Sequence, residues 1–211
     1  VLEVIELSFK LLDHYDKNPN QRPPTYNINM ESVQAIAELN HRFREHGVGY
    51  QFESGEIIRV DSQFIHTEVI KPVLKLLGEE KRFRGANEEF LKAHEHYRHN
   101  RYKECLVESL KSFESVMKAI CQKRGWIYNQ NDPAKKLIEI CFHNGLIPDF
   151  LQSQFSSLRS ILESGVPTLR NKLGGHGQGT SVITVTPSIA EYALQLTATN
   201  ILFLVNCEKE N

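Results

Sequence analysis

Apolar residues recur every three or four positions along most of the chain, which is the spacing of one face of an α-helix. In the first eighty residues this pattern predicts helices over about 2–16, 31–46 and 62–77. A segment rich in Asn and Pro, 18–29, interrupts the pattern after the first helix. This part of the chain is therefore expected to be mainly helical.

The second of these helices is followed by the only alternating apolar pattern in the first eighty residues. Gly47 is placed to end the helix, and 50–52 and 57–60 are predicted to pair as a small β-hairpin across the turn 53–56. The helix residues expected to face inward are Val33, Ile36, Ala37, Leu39 and Phe43.

The third helix is expected to begin at Asp61 or Ser62 as its cap, to be interrupted near Pro72 and to stop at Gly78. The charged segment 79–85 that follows lies where the net charge of the chain changes sign. We therefore predict a domain boundary there, between a small N-terminal domain, 1–80, and a C-terminal domain, 86–211.

The C-terminal domain is predicted to be a helical bundle. Residues 87–99 and 101–124 are expected to form a pair of helices or one long kinked helix. An apolar stripe in 101–124 is formed by Leu106, Leu110, Phe113, Val116, Met117 and Ile120. Asp132 is expected to cap a helix that has Pro133 as its first residue and runs to about Asn144. Further helices are predicted over 148–163 and from Pro187 to about Cys207, with 181–186 extended between them. The fold class is thus mainly α, with a single β-hairpin.

Composition limits the classes of protein that are compatible with this chain. No apolar run approaches the roughly 20 residues that cross a bilayer, and Glu3 and Glu6 stand where a signal peptide would be basic and then apolar, so neither membrane insertion nor export is expected. The cysteines are widely spaced and are expected to be reduced core thiols of a cytoplasmic protein: Cys105, Cys121, Cys141 and Cys207. Cys141 and His143 lack two further zinc ligands at a recognisable spacing, so no metal or cofactor is expected.

Charge is distributed unevenly along the chain. Residues 1–80 carry a net charge of −5, residues 81–124 carry +5, and residues 125–211 carry −1. Arg98 and Arg101 in the basic segment are candidate contacts for an RNA backbone. The nearby His94, His96 and His99 are expected to lie on a solvated basic face, because adjacent arginines would oppose a metal ion.

The one segment that combines reactive side chains with a permissive backbone is 170–177. It places the guanidinium of Arg170, the amide of Asn171 and the imidazole of His176 within two helical turns. Cleavage of RNA without a metal requires a base for the ribose 2′-OH, an acid for the leaving 5′-oxygen and positive charge at the phosphate. His and Arg supply these groups near neutral pH. Further candidate RNA contacts are Lys172, Gly174, Gly175 and Gly177.

A simpler interpretation of the same residues is structural. In it, Arg170 and Asn171 cap the preceding helix and His176 occupies a tight glycine turn. Residue types alone favour this interpretation, because an Arg-Asn pair followed by a single His is a short pattern.

The pattern nevertheless resembles a known family. Arg170-Asn171-Lys172 followed by His176-Gly177 between two helices is similar to the signature of HEPN-superfamily ribonucleases, and more closely to the abortive-infection C-terminal domain of phage-defence proteins. The segments 102–105 and 113–120 also resemble that domain, and the likeness covers about 87–207. The first 80 residues resemble an accessory abortive-infection N-terminal domain in the segments 38–47 and 52–59.

The resemblance implies a metal-independent endoribonuclease in which Arg170 and His176 are catalytic and Asn171 supports them. It also implies a homodimer through the C-terminal domain, in which two motifs face one cleft and cleavage leaves cyclic phosphate and 5′-hydroxyl ends. RNA is the expected partner, and a cognate inhibitor or sensor protein is compatible with such a system.

Two other functions are compatible with the residues. The HEPN-like domain could bind nucleotides or proteins without cutting. Alternatively, helix 31–46, hairpin 50–60 and helix 62–77 could form a winged-helix DNA-binding regulator, although a net charge of −5 argues against a DNA-reading surface.

Overall fold

A computed structural model describes residues 1–24, 31–60, 65–146 and 185–210. Over these residues the chain is mainly α-helical, with one two-stranded antiparallel sheet, which confirms the predicted fold class. The chain divides into two compact units, 1–63 and 64–211. The domain boundary over 79–85 stays a prediction.

The first unit consists of two helices and a hairpin. Its elements are α1 (Leu2–Lys17), a 3₁₀ turn (Pro19–Gln21), α2 (Ser32–Glu45), β1 (Tyr50–Glu53) and β2 (Glu56–Arg59). Ser54 and Gly55 both have positive φ, 51° and 85°, as the tight turn of a two-residue hairpin requires. The predicted helices and hairpin are confirmed here, with Phe52 opposite Ile57 in the register.

The inward face of α2 differs from the prediction. Val33 is 74% exposed and Ala37 is also exposed, whereas Phe43 and the polar residues Ser32 and Asn40 are buried. The prediction was wrong at Val33 and Ala37 because it counted only apolar residues. The buried face of α2 is therefore rotated toward these polar positions, which form hydrogen bonds of their own.

Side chains of both helices form hydrogen bonds with backbone groups of the hairpin. The side-chain amide of Asn40 on α2 donates to the carbonyl of Phe52 at 3.0 Å, and its oxygen accepts from the Phe52 N–H at 2.7 Å. On the other strand, the Ile57 N–H donates to the Glu6 carboxylate of α1 at 3.2 Å. Asn40 thus gives β1 the two hydrogen bonds that a neighbouring strand would give.

The face of α1 that points away from solvent packs on this hairpin. The ring centroids of Phe9 and Phe52 lie 5.8 Å apart, and Leu12 is buried. The Lys10 ammonium bridges two carboxylates, at 3.1 Å from Glu6 and 2.7 Å from Glu56. One face of α1 is therefore fixed to the hairpin by both apolar and ionic contacts.

The described residues of the second unit are helical. Its elements are a π-helical segment (His66–Ile70), α3 (Lys71–Glu79), a 3₁₀ turn (Lys81–Phe83), α4 (Arg84–Arg98), α5 (Tyr102–Arg124), α6 (Ala134–His143) and α7 (Pro187–Glu210). The predicted helices 87–99, 101–124, 132–144 and 187–207 are confirmed by α4 to α7. Gly125 and Gly145, both at φ 70°, follow the ends of α5 and α6.

The interruption predicted near Pro72 is seen as a change of helix type, whereas Gly78 does not act as predicted. The helix passes from π to α hydrogen bonding at Lys71, directly before Pro72, without a break in the chain of helical residues. Gly78 lies inside α3, which continues to Glu79. The predicted caps Asp61 and Ser62 lie outside the described residues.

The core of the second unit forms where α4 and α7 pack against α5. All six apolar positions predicted on α5 are buried, and Leu110, the most exposed of them, is only 7% accessible. The four cysteines are buried and have free thiols, which confirms the prediction of reduced core thiols.

The helix α7 is long and apolar enough to cross a membrane by length and composition, the only such helix among the described residues. Half of its most apolar stretch is buried against the rest of the protein. Its buried residues include Ala193, Ala198 and Ile201, each with no accessible surface. In this structure α7 is a core helix of the second unit.

The end of α7 carries a buried carboxylate that is surrounded by cations. Glu208 is 1% exposed, and its carboxylate lies 3.0 Å from Arg82, 2.5 Å from Lys123 and 3.4 Å from Arg124. Arg124 also donates to the Glu208 carbonyl. Burial acts to raise the pKa of the Glu208 carboxyl, but hydrogen bonds from Lys123 and Arg82 outweigh it, and the pKa lies below its usual 4.5. This Glu208 cluster joins the end of α7 to α5 and to the residues before α4.

Candidate functional site

The residues predicted to carry chemistry lie outside the described part of the chain. These residues are Arg170, Asn171, Lys172, Gly174, Gly175, His176 and Gly177. The predicted helix 148–163 and extended segment 181–186 also fall outside it, apart from 185 and 186. The described residues on either side, Leu146 and Val185, are 1% and 4% exposed. The roles of 170–177 therefore stay predictions.

The segment 113–120 on α5 resembles the abortive-infection domain. Some of its side chains are buried in the core, and others make polar contacts. Phe113, Val116, Met117 and Ile120 have no accessible surface. Glu114 faces α6, and one of its carboxylate oxygens accepts the backbone N–H of Ala134 at 2.9 Å. Since Ala134 is the first residue of α6, Glu114 satisfies a donor that the helix itself leaves without a partner.

This contact corrects the predicted cap of α6. Asp132 was expected to cap the helix, but its carboxylate instead accepts the N–H of Asn129 at 2.8 Å, within the preceding turn. Pro133 occupies the cap position and has no side-chain hydrogen-bonding group. The carboxylate that satisfies the first turn comes from α5, which a local sequence pattern cannot reveal.

A further carboxyl, that of Glu89, lies between α4 and α5. Burial raises the pKa of the Glu89 carboxyl above its usual 4.5, and the Glu108 carboxylate acts in the same direction. A hydrogen bond from Ser115 and the ammonium groups of Lys111 and Lys118 oppose that rise. A carboxyl with a raised pKa can hold a proton closer to neutral pH than an exposed one can. Glu89 is not among the residues predicted from the sequence, because a single Glu on a helix gives no sign of its burial.

His94 also differs from its prediction. It is 3% exposed and its ring packs edge-on against Phe90, with the centroids 4.8 Å apart. Among the described residues, neither ring nitrogen has a hydrogen-bond partner. Burial, together with the neighbouring His66, lowers the pKa of His94 to about 3. His94 therefore belongs to the core in its neutral form, whereas His99 lies on the exposed face.

This burial predicts that acid weakens the second unit at pH values where an ordinary exposed carboxylate is still ionised. The unfolded chain binds a proton at His94 below pH 6.5, whereas the folded form stays neutral to about pH 3, so stability falls as pH decreases between these values. From pH 6.5 to 5 the expected loss is about 2 kcal/mol. Urea unfolding followed by the fluorescence of Trp126, the single tryptophan, measures it.

Two variants distinguish the contribution of His94 to this pH dependence from that of an exposed histidine. His94→Leu is expected to remove most of the pH dependence between pH 6.5 and 5, with a remainder from His96, whose pKa burial also lowers, whereas His99→Gln on the exposed face should leave the wild-type slope. An unchanged slope in His94→Leu would contradict the assignment of this loss to the buried imidazole.

Comparison with known families identifies both parts of the chain. The family described as "HEPN-like domain" matches residues 84–208, and the family described as "AbiJ N-terminal domain 4" matches residues 1–75. The first match covers more than half of the chain. The chain belongs to the HEPN-like domain family of abortive-infection proteins. No curated protein and no solved structure matches it significantly.

The HEPN-like match begins at the first residue of α4 and ends at Glu208 in α7. It contains the segment 170–177 and therefore confirms the family resemblance, while the roles of the individual residues stay predictions. The N-terminal match ends inside α3, at residue 75. The protein thus combines a defence-related HEPN module with an AbiJ-type N-terminal domain.

Within the HEPN-like domain, the predicted RNA contacts Arg98 and Arg101 lie at the turn between α4 and α5. Arg101 pairs with Glu95 at 2.9 Å, and both side chains are partly exposed. Arg98 approaches the ring of His99, 3.4 Å away, and Asn100 between the two helices has φ 58°. A phosphate at this turn would have to compete with Glu95 for Arg101.

In the part of the chain that the structure describes, no group of three or more His, Cys, Asp or Glu side chains is arranged to hold a metal ion. Cys141 of the HEPN-like domain has the Cys121 thiol as its hydrogen-bonding neighbour. His143 is exposed at the end of α6.

Proposed function

We propose that this protein is a metal-independent endoribonuclease of a bacterial phage-defence or toxin-type system. The observation that carries the proposal is the HEPN-like match over 84–208, which includes Arg170, Asn171 and His176. In the proposed reaction the ribose 2′-oxygen attacks the adjacent phosphorus, and the bond from phosphorus to the 5′-oxygen breaks. The products are a 2′,3′-cyclic phosphate and a 5′-hydroxyl.

His176 is the proposed proton-transfer group. An imidazole with a pKa near 6.5 can take the proton of the 2′-hydroxyl, and a protonated imidazole can return one to the leaving 5′-oxygen. The guanidinium of Arg170 is proposed to bind the phosphate oxygens as they gain negative charge. Asn171 orients either the imidazole or the substrate.

Two protein copies complete the proposed site. A homodimer through the C-terminal domain would place two copies of Arg170 and His176 at one cleft, so that one imidazole acts as base and the other as acid. RNA is the proposed substrate, and Lys172, the glycines at 174, 175 and 177, and the α4–α5 turn with Arg98 and Arg101 are proposed to contact its backbone. We propose that the protein acts in the cytoplasm, where a cognate inhibitor or sensor would control it.

The test is incubation of the purified full chain with RNA in excess EDTA. Cleavage is expected to proceed unchanged, because the proposed reaction uses only side chains. The fragments should carry cyclic phosphate and 5′-hydroxyl ends, which enzymatic end-labelling with and without phosphatase treatment distinguishes. RNA that stays intact at high protein concentration, while still binding to the protein, would support a non-cutting binding module instead.

A further inference from the structure

Two of the four buried cysteines lie side by side on neighbouring helices of the second unit. Cys121 on α5 and Cys141 on α6 have 0% and 1% of their surface accessible, and both thiols are free. The two thiols are hydrogen-bonding neighbours. Neither has a role in the proposed RNA cleavage, so the pair is a reactive group that the proposed function leaves unused.

The register of α5 against α6 places these cysteines opposite each other, independently of their own contact. The Glu114 carboxylate of α5 accepts the N–H of Ala134, the first residue of α6, at 2.9 Å. Cys121 and Cys141 stand seven residues further along their helices, which is about two turns, so each lies on nearly the same face as Glu114 or Ala134. The two helices therefore run in the same direction, and the cysteines face each other.

Both helices also end in the same way, within about one turn of the pair. The N–H of Trp126 donates to the carbonyl of Cys121 at 2.9 Å. The N–H of Leu146 donates to the carbonyl of Cys141 at 3.0 Å, and in each case the residue before the donor is a glycine with φ 70°. Helix ends open more readily than helix centres, so a small oxidant can reach the two sulfurs without unfolding of the unit.

We propose that Cys121 and Cys141 are a redox-sensitive modification site, at which hydrogen peroxide joins them in a disulfide. In the first step the Cys121 thiolate attacks one peroxide oxygen, the O–O bond breaks, and the leaving hydroxide takes up the proton that the Cys121 thiol has released. In the second step the Cys141 sulfur attacks the sulfur of the resulting sulfenic acid, the S–O bond breaks, and the oxygen leaves as water with the Cys141 proton. The two sulfurs lose two electrons in total, and the peroxide is reduced to two molecules of water.

The surroundings of the two thiols determine which one reacts first. The hydrogen bond with Cys141 lowers the pKa of the Cys121 thiol, although burial acts in the opposite direction. The same hydrogen bond, together with burial, raises the pKa of the Cys141 thiol well above its usual range. Because the thiolate is the form that attacks peroxide, Cys121 is the sulfur oxidised first. Burial raises the pKa of the Cys105 thiol to about 12, so Cys105 is a matched unreactive cysteine.

The first test is treatment of the full chain with hydrogen peroxide, at concentrations that leave its far-ultraviolet circular dichroism unchanged. Alkylation of the remaining thiols and peptide mapping without reduction then follow. Two of the four thiols are expected to disappear, and the peptides that carry Cys121 and Cys141 should be joined, while Cys105 and Cys207 are alkylated. Dithiothreitol should restore all four thiols. Thiols that stay fully alkylatable, or that are lost without the joined peptide, would overturn the proposal.

The second test uses variants that keep one sulfur of the pair. In Cys141→Ala the sulfenic acid at Cys121 has no second thiol to attack it, so a sulfenic-acid probe is expected to label this variant roughly tenfold more than Cys121→Ala. Cys105→Ala is the matched control and should form the disulfide in wild-type yield. Equal labelling of Cys121→Ala and Cys141→Ala would show that the pair does not react in the proposed order and would contradict the site.

The urea midpoint of the oxidised wild-type chain tests whether the bridge fits the folded structure. A disulfide that needs no distortion stabilises the folded form, mainly by restricting the unfolded chain. The midpoint, followed by far-ultraviolet circular dichroism, is therefore expected to rise by on the order of 1 M and to return when dithiothreitol is added. A midpoint that falls on oxidation would contradict the placement of the two sulfurs. No RNA is present in these measurements, so their outcome is independent of the proposed nuclease activity.

Discussion

The His176→Ala variant is expected to cleave RNA at least 100 times more slowly than the wild type in the EDTA assay. Proton transfer by a positioned side chain contributes about 10² to 10⁴ in rate, and the methyl group of Ala can neither accept nor donate a proton. If two copies of His176 serve one cleft as base and acid, the loss is expected at the upper end of that range. Initial rates at saturating RNA, over a range of pH, measure it.

Matched variants distinguish loss of chemistry from loss of folding. His143→Ala removes an exposed histidine at the end of α6 and should keep wild-type activity. Arg170→Lys keeps the charge but not the planar fork, and is expected to lose much of the rate, whereas Arg84→Ala, at an exposed position, should not. Full activity in His176→Ala would contradict the assignment of this residue, and equal losses in His143→Ala would show that the effect is not specific.

Glu208→Ala is expected to destabilise the second unit by about 3 kcal/mol. Glu208 is 1% exposed, and its removal takes a carboxylate away from the guanidinium of Arg124 and leaves Arg82 with only its 2.7 Å pair to Glu80. The three cations keep some access to water, which places the loss at the lower end of the range for a broken buried pair. Urea unfolding followed by Trp126, directly after the end of α5, measures the change.

The pH dependence identifies this carboxylate independently. Because the pKa of Glu208 is below 4.5 in the folded protein, its contribution is fully present above that pH and is lost as pH falls through the folded pKa. Glu208→Ala should therefore lose the part of the acid transition below pH 4.5 that Glu208 contributes, while it keeps the loss between pH 6.5 and 5 that belongs to His94. Glu210→Ala, two residues along the same helix and exposed, is expected to behave like the wild type. Equal stabilities of the two variants would contradict the proposed ion cluster.

Apolar periodicity was sufficient to predict the helices, because a long helix buries a stripe that repeats every three or four residues. The six buried positions on α5 and the glycines after α5 and α6 are examples in which local pattern and packing agree. The hairpin could also be predicted, because Ser54-Gly55 fits its tight turn. The family, too, could be recognised from short segments, and the match over 84–208 confirms it.

The features that sequence reasoning missed are polar groups whose partners are distant in the chain. Asn40 is buried because Phe52 needs its amide, and Glu114 rather than Asp132 serves the first turn of α6. His94 was assigned to a solvated face from its charged neighbours, although its own position on α4 points into the core. Such contacts depend on how the helices and strands pack together, and a short stretch of sequence carries no information about that packing.

The hairpin of the first unit has a consequence for how this protein meets other chains. Exposed strand edges recruit foreign strands, which leads to aggregation or to peptide capture by strand addition. Here Asn40 occupies the outward backbone groups of Phe52, and Glu6 accepts the outward N–H of Ile57. An incoming strand would first have to displace both side chains. The sheet is therefore closed to growth at the centre of each strand.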